Sequence, residues 1–218
     1  HCVEHRCVKG SRTKSALAAA EAAFLRWHGS YRKIDRLISP SEFMREKLLE
    51  GGFPAYQIVY MRNFAKDEVL AHARTDEDLT DRESPYLLFF GRLSREKGVD
   101  VLVDAFLSIA GRIPGWRLVI AGEGPEREAI EEQLGDHPDG GRVELVGFQR
   151  GDALSAYAER ASLAIASSRC RENMPFSIVE SFAAGTPVVG TRIGGIPELV
   201  SEGGTGFLAE PGDAASLA

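Results

Sequence analysis

The chain has 218 residues, 44% of them hydrophobic, which is room for one large or two small domains. No apolar run approaches the ~18–20 residues needed to cross a bilayer, so a soluble globular protein is expected rather than one with a spanning helix. The net charge of −6 is uneven: through Lys66 twelve Lys and Arg stand against six Asp and Glu, a balance of +6 that leaves −12 for the remainder. Such asymmetry marks two regions with different partners, or two faces that complement each other, and no nucleic-acid partner is expected.

The opening His1-Cys2-Val3-Glu4-His5-Arg6 lacks the apolar core of a secretory signal. A start at His and an end at Ser216-Leu217-Ala218, which reads as the opening of a helix, suggest a fragment of a longer chain. Cys2, Cys7 and Cys170 do not build a disulfide framework and suit a reducing compartment. His1, Cys2, His5 and Cys7 crowd four ligand side chains together without the paired-knuckle spacing of a structural zinc site, so no metal is expected there. Cys170 reads as a small packing residue rather than a nucleophile.

From about Thr13 to Lys33 the pattern is helical, with Leu17, Phe24, Trp27, Tyr31 and Ile34 near helical spacing among Arg26, Arg32 and Lys33. Aromatics so spaced usually face a core; the other reading is a basic helix at a membrane surface or over an acidic acceptor. Asp35 to Ser41 reads as a short strand and turn, and Ser41 as the cap of a helix from Glu42 to Glu50 closed by Gly51-Gly52. Ile58 to Met61 is a further strand leading to Arg62-Asn63-Phe64, and Asp67 to Pro85, rich in Asp, Glu and Thr, reads as an interdomain linker.

Beyond the linker strands and helices alternate. Strands are expected at Tyr86 to Phe90, Trp116 to Ala121, Arg142 to Val146, Leu163 to Ala166, Pro187 to Gly190 and Thr205 to Leu208; helices at Val99 to Arg112, Pro125 to Leu134 and Asp152 to Arg160. Apolar strands alternating with helices predict an α/β fold, a doubly wound parallel sheet of Rossmann-like type whose ligands sit at the carboxyl ends of the strands. At the first such end, Gly91-Arg92-Leu93-Ser94-Arg95-Glu96-Lys97-Gly98 is neither a dinucleotide fingerprint nor a P-loop, but it supplies Arg92 and Lys97, two cations able to neutralise a diphosphate. At the second, Gly122-Glu123-Gly124-Pro125 gives a turn and a proline helix start. At the third, Gly147-Phe148 offers a backbone and a ring to a base, or a phenyl to the core. Gly194-Gly195 brings backbone close to a ligand or merely turns the chain, and Glu198 reads as a helix-start acid.

The densest pattern is Glu172-Asn173-Met174-Pro175-Phe176-Ser177-Ile178-Val179-Glu180, followed by Ser181-Phe182-Ala183-Ala184-Gly185-Thr186-Pro187. Pro175 suits the first turn of a helix with Asn173 or Met174 at its cap, while Gly185 and Pro187 end it. The N–H groups and dipole of such a helix start favour a phosphate. A carboxylate just outside, Glu172, suits neutral sugar hydroxyls, and Glu180 lies where a ribose would sit. Polyol, diphosphate and ribose in series make a nucleotide sugar.

Glu-x7-Glu, the alanine-rich helix end, Gly185-Thr186-Pro187-Val188-Val189 and Gly194-Gly195-Ile196-Pro197-Glu198-Leu199 together resemble the group 1 (GT4-type) retaining glycosyltransferases, from about Ile34 to the end. The resemblance implies a GT-B architecture with a partial second α/β segment at the N-terminus. Residues 1–66 would close the acceptor-binding domain, 67–85 link, and 86–218 form the donor-binding domain. It implies Arg92 and Lys97 on the donor diphosphate, Glu172 on the sugar hydroxyls and Glu180 on the ribose. Gly91, Gly122 and Phe148 would line the donor, and backbone around Asn173, Met174, Pro175, Phe176, Ser177 and Ile178 would meet sugar and phosphate. This chain departs from the family's Glu-Gly-Phe-Gly loop, and Pro175 has no N–H to give.

The implied activity is transfer of a sugar, with retention, from a UDP-, GDP- or ADP-linked donor to a glycan or lipid-linked glycan hydroxyl in polysaccharide, lipopolysaccharide or other glycoconjugate synthesis. No cofactor and no Asp-x-Asp metal pair are expected, the protein's cations standing in for a divalent ion. The implied location is the cytoplasm, including the inner face of the cell membrane through peripheral contact. The fragment alone is expected to bind nucleotide and turn over little donor. Two alternatives are a GT-B-fold nucleotide-sugar epimerase and a non-catalytic nucleotide- or carbohydrate-binding module. A Rossmann dehydrogenase is disfavoured because the first strand end lacks its glycine fingerprint.

Overall fold

Six apolar runs of four or five residues become six parallel strands, as expected of segments covered on both faces. In this computed structural model, which describes residues 3–4, 8, 10–65, 85–135 and 137–218, they are β3 (Tyr86–Phe90), β4 (Arg117–Ala121), β5 (Val143–Gly147), β6 (Leu163–Ala166), β7 (Val188–Thr191) and β8 (Gly206–Ala209). The order across the sheet is β5-β4-β3-β6-β7-β8. The chain thus winds outward from β3 to β5 and returns to lay β6 beside β3, with Leu87 opposite Leu163. That reversal makes the crevice beyond the carboxyl ends of β3 and β6 the place where a doubly wound sheet holds its ligand.

Alternate residues of β3 feed opposite cores. Phe89 packs with Leu102, Val103 and Phe106 of α3 (Val99–Ile109), with Ile130 of α4 (Arg127–Gly135) and with Leu217 of α7 (Ala214–Leu217). Leu88 and Phe90 face Ala158 of α5 (Asp152–Arg160), and Ile178 of α6 (Phe176–Ala183) joins Ala164, Val188 and Ile196 on the same sheet. Each fully buried Leu, Ile or Phe contributes about 1.5–3 kcal/mol, which makes these faces the source of the domain's stability.

The helix expected from Pro125 starts instead at Arg127, because Gly124-Pro125 is spent on a turn whose Arg127 N–H bonds the Gly124 carbonyl. The helix expected through Lys33 ends at Trp27 as α1 (Arg12–Trp27); Gly29, at φ 73°, breaks it before a 3-10 turn at Ser30–Lys33. Leu17, Phe24 and Trp27 are 73, 56 and 83% exposed, so this face of α1 meets no core among the described residues. A parallel pair, β1 (Leu37–Ser39) with β2 (Ile58–Tyr60), flanks α2 (Glu42–Glu50), whose cap is Ser41. This is the partial second α/β segment.

Most of the expected linker, 67–84, and the side chains His1, Cys2, His5 and Cys7 lie outside the described residues. That linker does contain Asp76-Glu77-Asp78, which corrects the expectation that the chain has no Asp-x-Asp spacing. No described helix is long and apolar enough to cross a membrane.

Candidate functional site

Two loops meet at the switch point because glycine lets them. Gly98 ends the 3-10 turn Arg95–Lys97 at φ 65°, and a Cβ there would overlap the Ser167 carbonyl, so the loop after β3 can close on the loop after β6 only with glycine at this position. Ser167 and Ser168, buried at the end of β6, then fix both partners of the site: Ser167 Oγ donates to the Lys97 carbonyl at 2.9 Å, and Ser168 Oγ donates to Glu172 Oε1 at 3.0 Å. The same carboxylate oxygen accepts from Lys97 Nζ at 2.5 Å, with the two side chains 29 and 18% exposed. Cys170 Sγ lies 3.8 Å from that oxygen. Burial first, and then the Glu172 carboxylate, push the Cys170 thiol above its ordinary range, because both disfavour a second negative charge. Cys170 therefore has the character of an inert thiol.

The Glu172 loop leads into α6. Its cap is Pro175, with φ −65° and ψ 129°, rather than Asn173 or Met174, and no side chain caps the turn. The Ile178 and Val179 N–H groups both turn back to the Pro175 carbonyl, so the donors facing outward from the first turn belong to Phe176 and Ser177. Gly185, at φ 71°, closes the helix: its N–H bonds the Phe182 carbonyl and the Thr186 N–H bonds that of Ser181.

A cleft of about 520 Å³ lies above this junction, within the 300–1,000 Å³ of small-molecule sites. Gly91, Arg92, Lys97, Glu172, Asn173, Met174, Pro175, Phe176, Ser177 and Glu180 all line it, with Glu180 in the second turn of α6. Three expected residues do not. Ile178 is fully buried against Ala164 and Ile196, so its side chain belongs to the core and its N–H to Pro175, which corrects its assignment as a donor contact. Gly122 is buried where a Cβ would overlap the Gly91 carbonyl, and its smallness serves the packing of β3 against β4. Phe148 is 68% exposed after Gly147, so its ring is not core, and it stands outside this cleft.

Sequence reasoning missed Ser168, Pro40 and Asn63. Ser168 carried a signal, a polar residue at a strand's carboxyl end; Asn63 carried none, since its partner Met174 is 111 residues away. Glu198 sits in a 3-10 turn, Ile196–Glu198, and its carboxylate caps the start of α2 instead of its own turn. Among the described residues no group of three or more His, Cys, Asp or Glu is placed to hold a metal ion.

Residues 84–218, well over half of the chain, match the family described as glycosyl transferases group 1. The chain belongs to the group 1 glycosyltransferases. Among the relatives of this glycosyltransferase chain are the 2-deoxystreptamine N-acetyl-D-glucosaminyltransferase of Niallia circulans, 32% identical over 61% of this chain and 34% of its own length, and the sulfoquinovosyl transferase SQD2 of Arabidopsis thaliana, 29% identical over 84% and 36%. The chain thus spans about a third of the length of the curated relatives it matches. HepE of Anabaena, crystallised with UDP-glucose, superposes with a TM-score of 0.73 at 23% identity over 84% of this chain and 52% of its own, which establishes the GT-B-type fold.

Proposed function

We propose that residues 86–218 form the nucleotide-sugar donor site of a glycosyltransferase that retains anomeric configuration, and that residues 1–66 close its acceptor domain, with 67–85 between them. One observation carries the reading: Arg92, Lys97, the open amides of Phe176 and Ser177, Glu172 and Glu180 all border one cleft. A metal-holding site needs clustered ligands; a diphosphate needs cations and N–H donors, and a sugar and a ribose need carboxylates to accept from hydroxyls.

In the step itself the bond from the anomeric carbon to the β-phosphate oxygen breaks, and a bond to the acceptor oxygen forms on the same face. The acceptor's proton passes to the departing phosphate. Negative charge grows on that phosphate while the sugar becomes oxocarbenium-like. Arg92, Lys97 and the α6 amides supply positive charge already in place, which lowers the barrier without reorganisation. Glu172, held by Ser168 and Lys97, orients the sugar through its hydroxyls.

HepE binds UDP-glucose, so a UDP-linked sugar is the first donor to test, with GDP- and ADP-linked sugars beside it. The acceptor is a glycan or lipid-linked glycan hydroxyl, and the site of action is cytoplasmic, with peripheral membrane contact through the basic N-terminal segment. The test is titration calorimetry of the full-length protein with UDP, GDP and ADP. Binding of one of them below about 1 mM, weakened about tenfold by Arg92→Ala, is expected. No binding at that concentration, or binding indifferent to Arg92→Ala, overturns the reading. Incubating donor without acceptor and finding isomerised sugar would identify the epimerase alternative instead.

A further inference from the structure

Two sets of hydrogen bonds tie the N-terminal segment to the loops of the cleft. Asn63, beyond β2, donates its side-chain amide to the Met174 carbonyl at 2.8 Å, and its backbone N–H meets the Met174 sulfur at 3.1 Å. Met174 is 4% exposed and stands between Glu172 and α6, so this bond holds the turn that carries Glu172 toward the helix. On the other side Glu198 places one carboxylate oxygen 2.8 Å from the Glu42 nitrogen and the other 2.7 Å from that of Phe43. These are the first two donors of α2, without acceptors inside their own helix, and a carboxylate there meets the positive end of the dipole.

Glu198 rides on the loop that contains Gly194 and Gly195. The Gly195 N–H bonds the Glu172 carbonyl at 2.7 Å, and a Cβ at Gly195 would overlap the Asn173 carbonyl and come within 3.0 Å of Ser41 Cβ. Glu172-Asn173-Met174 is thus clamped from two sides, and each clamp ends in the N-terminal segment: one at Asn63, the other at the start of α2.

The geometry points to Asn63 and Glu198 as positioning residues, an inter-segment clasp that sets Glu172 against the donor sugar only while the N-terminal segment is seated. The inference rests on the donor-site reading above. Arg92 lies in the loop after β3 and Glu180 in the second turn of α6, both outside the Glu172–Met174 turn, so loss of the clasp should weaken the sugar-dependent part of affinity and leave the nucleotide part alone. A purely structural role would weaken both together.

The test uses the full-length protein and whichever of UDP, GDP and ADP binds best, titrated beside its glucose-linked form. Asn63→Ala, the isosteric Asn63→Asp and Glu198→Gln are expected to lower the ratio of nucleotide-sugar to nucleotide affinity about tenfold, the scale of one lost hydrogen bond, while bare nucleotide stays within about twofold. Hydrogen exchange is the second readout: the amides of Glu42 and Phe43 in Glu198→Gln, and those of Asn173 and Met174 in Asn63→Ala, should exchange about tenfold faster. An unchanged affinity ratio, or parallel loss for nucleotide and nucleotide sugar, overturns the clasp. If the parent protein binds neither ligand, the donor-site reading has failed, and exchange alone decides the clasp, with unaltered rates at those amides overturning it.

Discussion

Replacing Lys97 by Met separates the two jobs that one ammonium group has in this cleft. Lys97 Nζ sits 2.5 Å from Glu172 Oε1, and neither side chain is more than a third exposed. A charged hydrogen bond contributes about 1.5–3 kcal/mol in a dry setting; discounted for the remaining exposure, its loss should lower stability by about 1–2 kcal/mol. Glu172 would keep the Ser168 hydroxyl at 3.0 Å, so the loop stays folded. The chemical step should suffer more, since deleting one preorganised donor to a developing anion costs about 2.7–4 kcal/mol, or 10²–10³ in kcat. The assay is nucleotide diphosphate release by the full-length enzyme at saturating donor and acceptor, beside a urea melt. Repeating it in a Glu172→Gln background distinguishes the roles. If Lys97 acts only by aiming Glu172, adding Lys97→Met to Glu172→Gln should cost nothing further; if it also faces the diphosphate, the additional loss should stay near 10². A kcat for Lys97→Met within about threefold of the parent, less than ~0.7 kcal/mol, would refute the electrostatic argument.

Gly195→Ala should destabilise by about 1–3 kcal/mol, read as a lowered urea midpoint at unchanged slope, because the added Cβ overlaps the Asn173 carbonyl. Gly111→Ala, where nothing lies within 4 Å, is the control; equal effects at both positions would contradict the close approach of the two loops. Ile178→Ala should cost about 2–5 kcal/mol of stability, as expected for a fully buried side chain in the α6 core, and a change under ~0.5 kcal/mol would return Ile178 to the list of ligand contacts. With Cys2 and Cys7 changed to Ser, maleimide should label Cys170 more slowly than free cysteine at pH 8. Its thiol is raised by burial and by Glu172, so less thiolate is present until the pH climbs past the ordinary cysteine range; labelling as fast as free cysteine would contradict the buried, anion-flanked setting.

The strands were legible because segments buried on both faces are apolar throughout: Leu87-Leu88-Phe89-Phe90 and Leu163-Ala164-Ile165-Ala166 can hardly be anything else. Helix α5 was legible to the residue, since Gly151 and Asp152 open it and Ala161 leaves it extended. Helix starts beside proline were not. Pro125 occupies a turn and Pro175 occupies the cap, and the fixed φ of proline suits a first helical turn, a cap and a turn alike. The site was legible as a set of strand-end residues and illegible as a set of contacts. Lys97 and Glu172 are 75 residues apart, and their meeting depends on β6 returning beside β3, which no local pattern states. The same holds for Glu198, whose acid character suggested a helix start but whose helix lies 155 residues upstream.

That ion pair has a consequence for how the proposed donor site would fill. A lysine held by a carboxylate presents little net charge to an approaching diphosphate, so the attraction of the cleft for it falls to Arg92 and to the amide end of α6. Under the proposed assignment, sugar hydroxyls that donate to Glu172 offset its negative charge, so more of the field of the Lys97 ammonium, already in place, reaches the leaving phosphate. The pairing then makes the second cation conditional on the sugar. Sugar recognition and leaving-group stabilisation would be coupled through a single 2.5 Å contact, which is the economical arrangement for binding interactions that must strengthen toward the transition state.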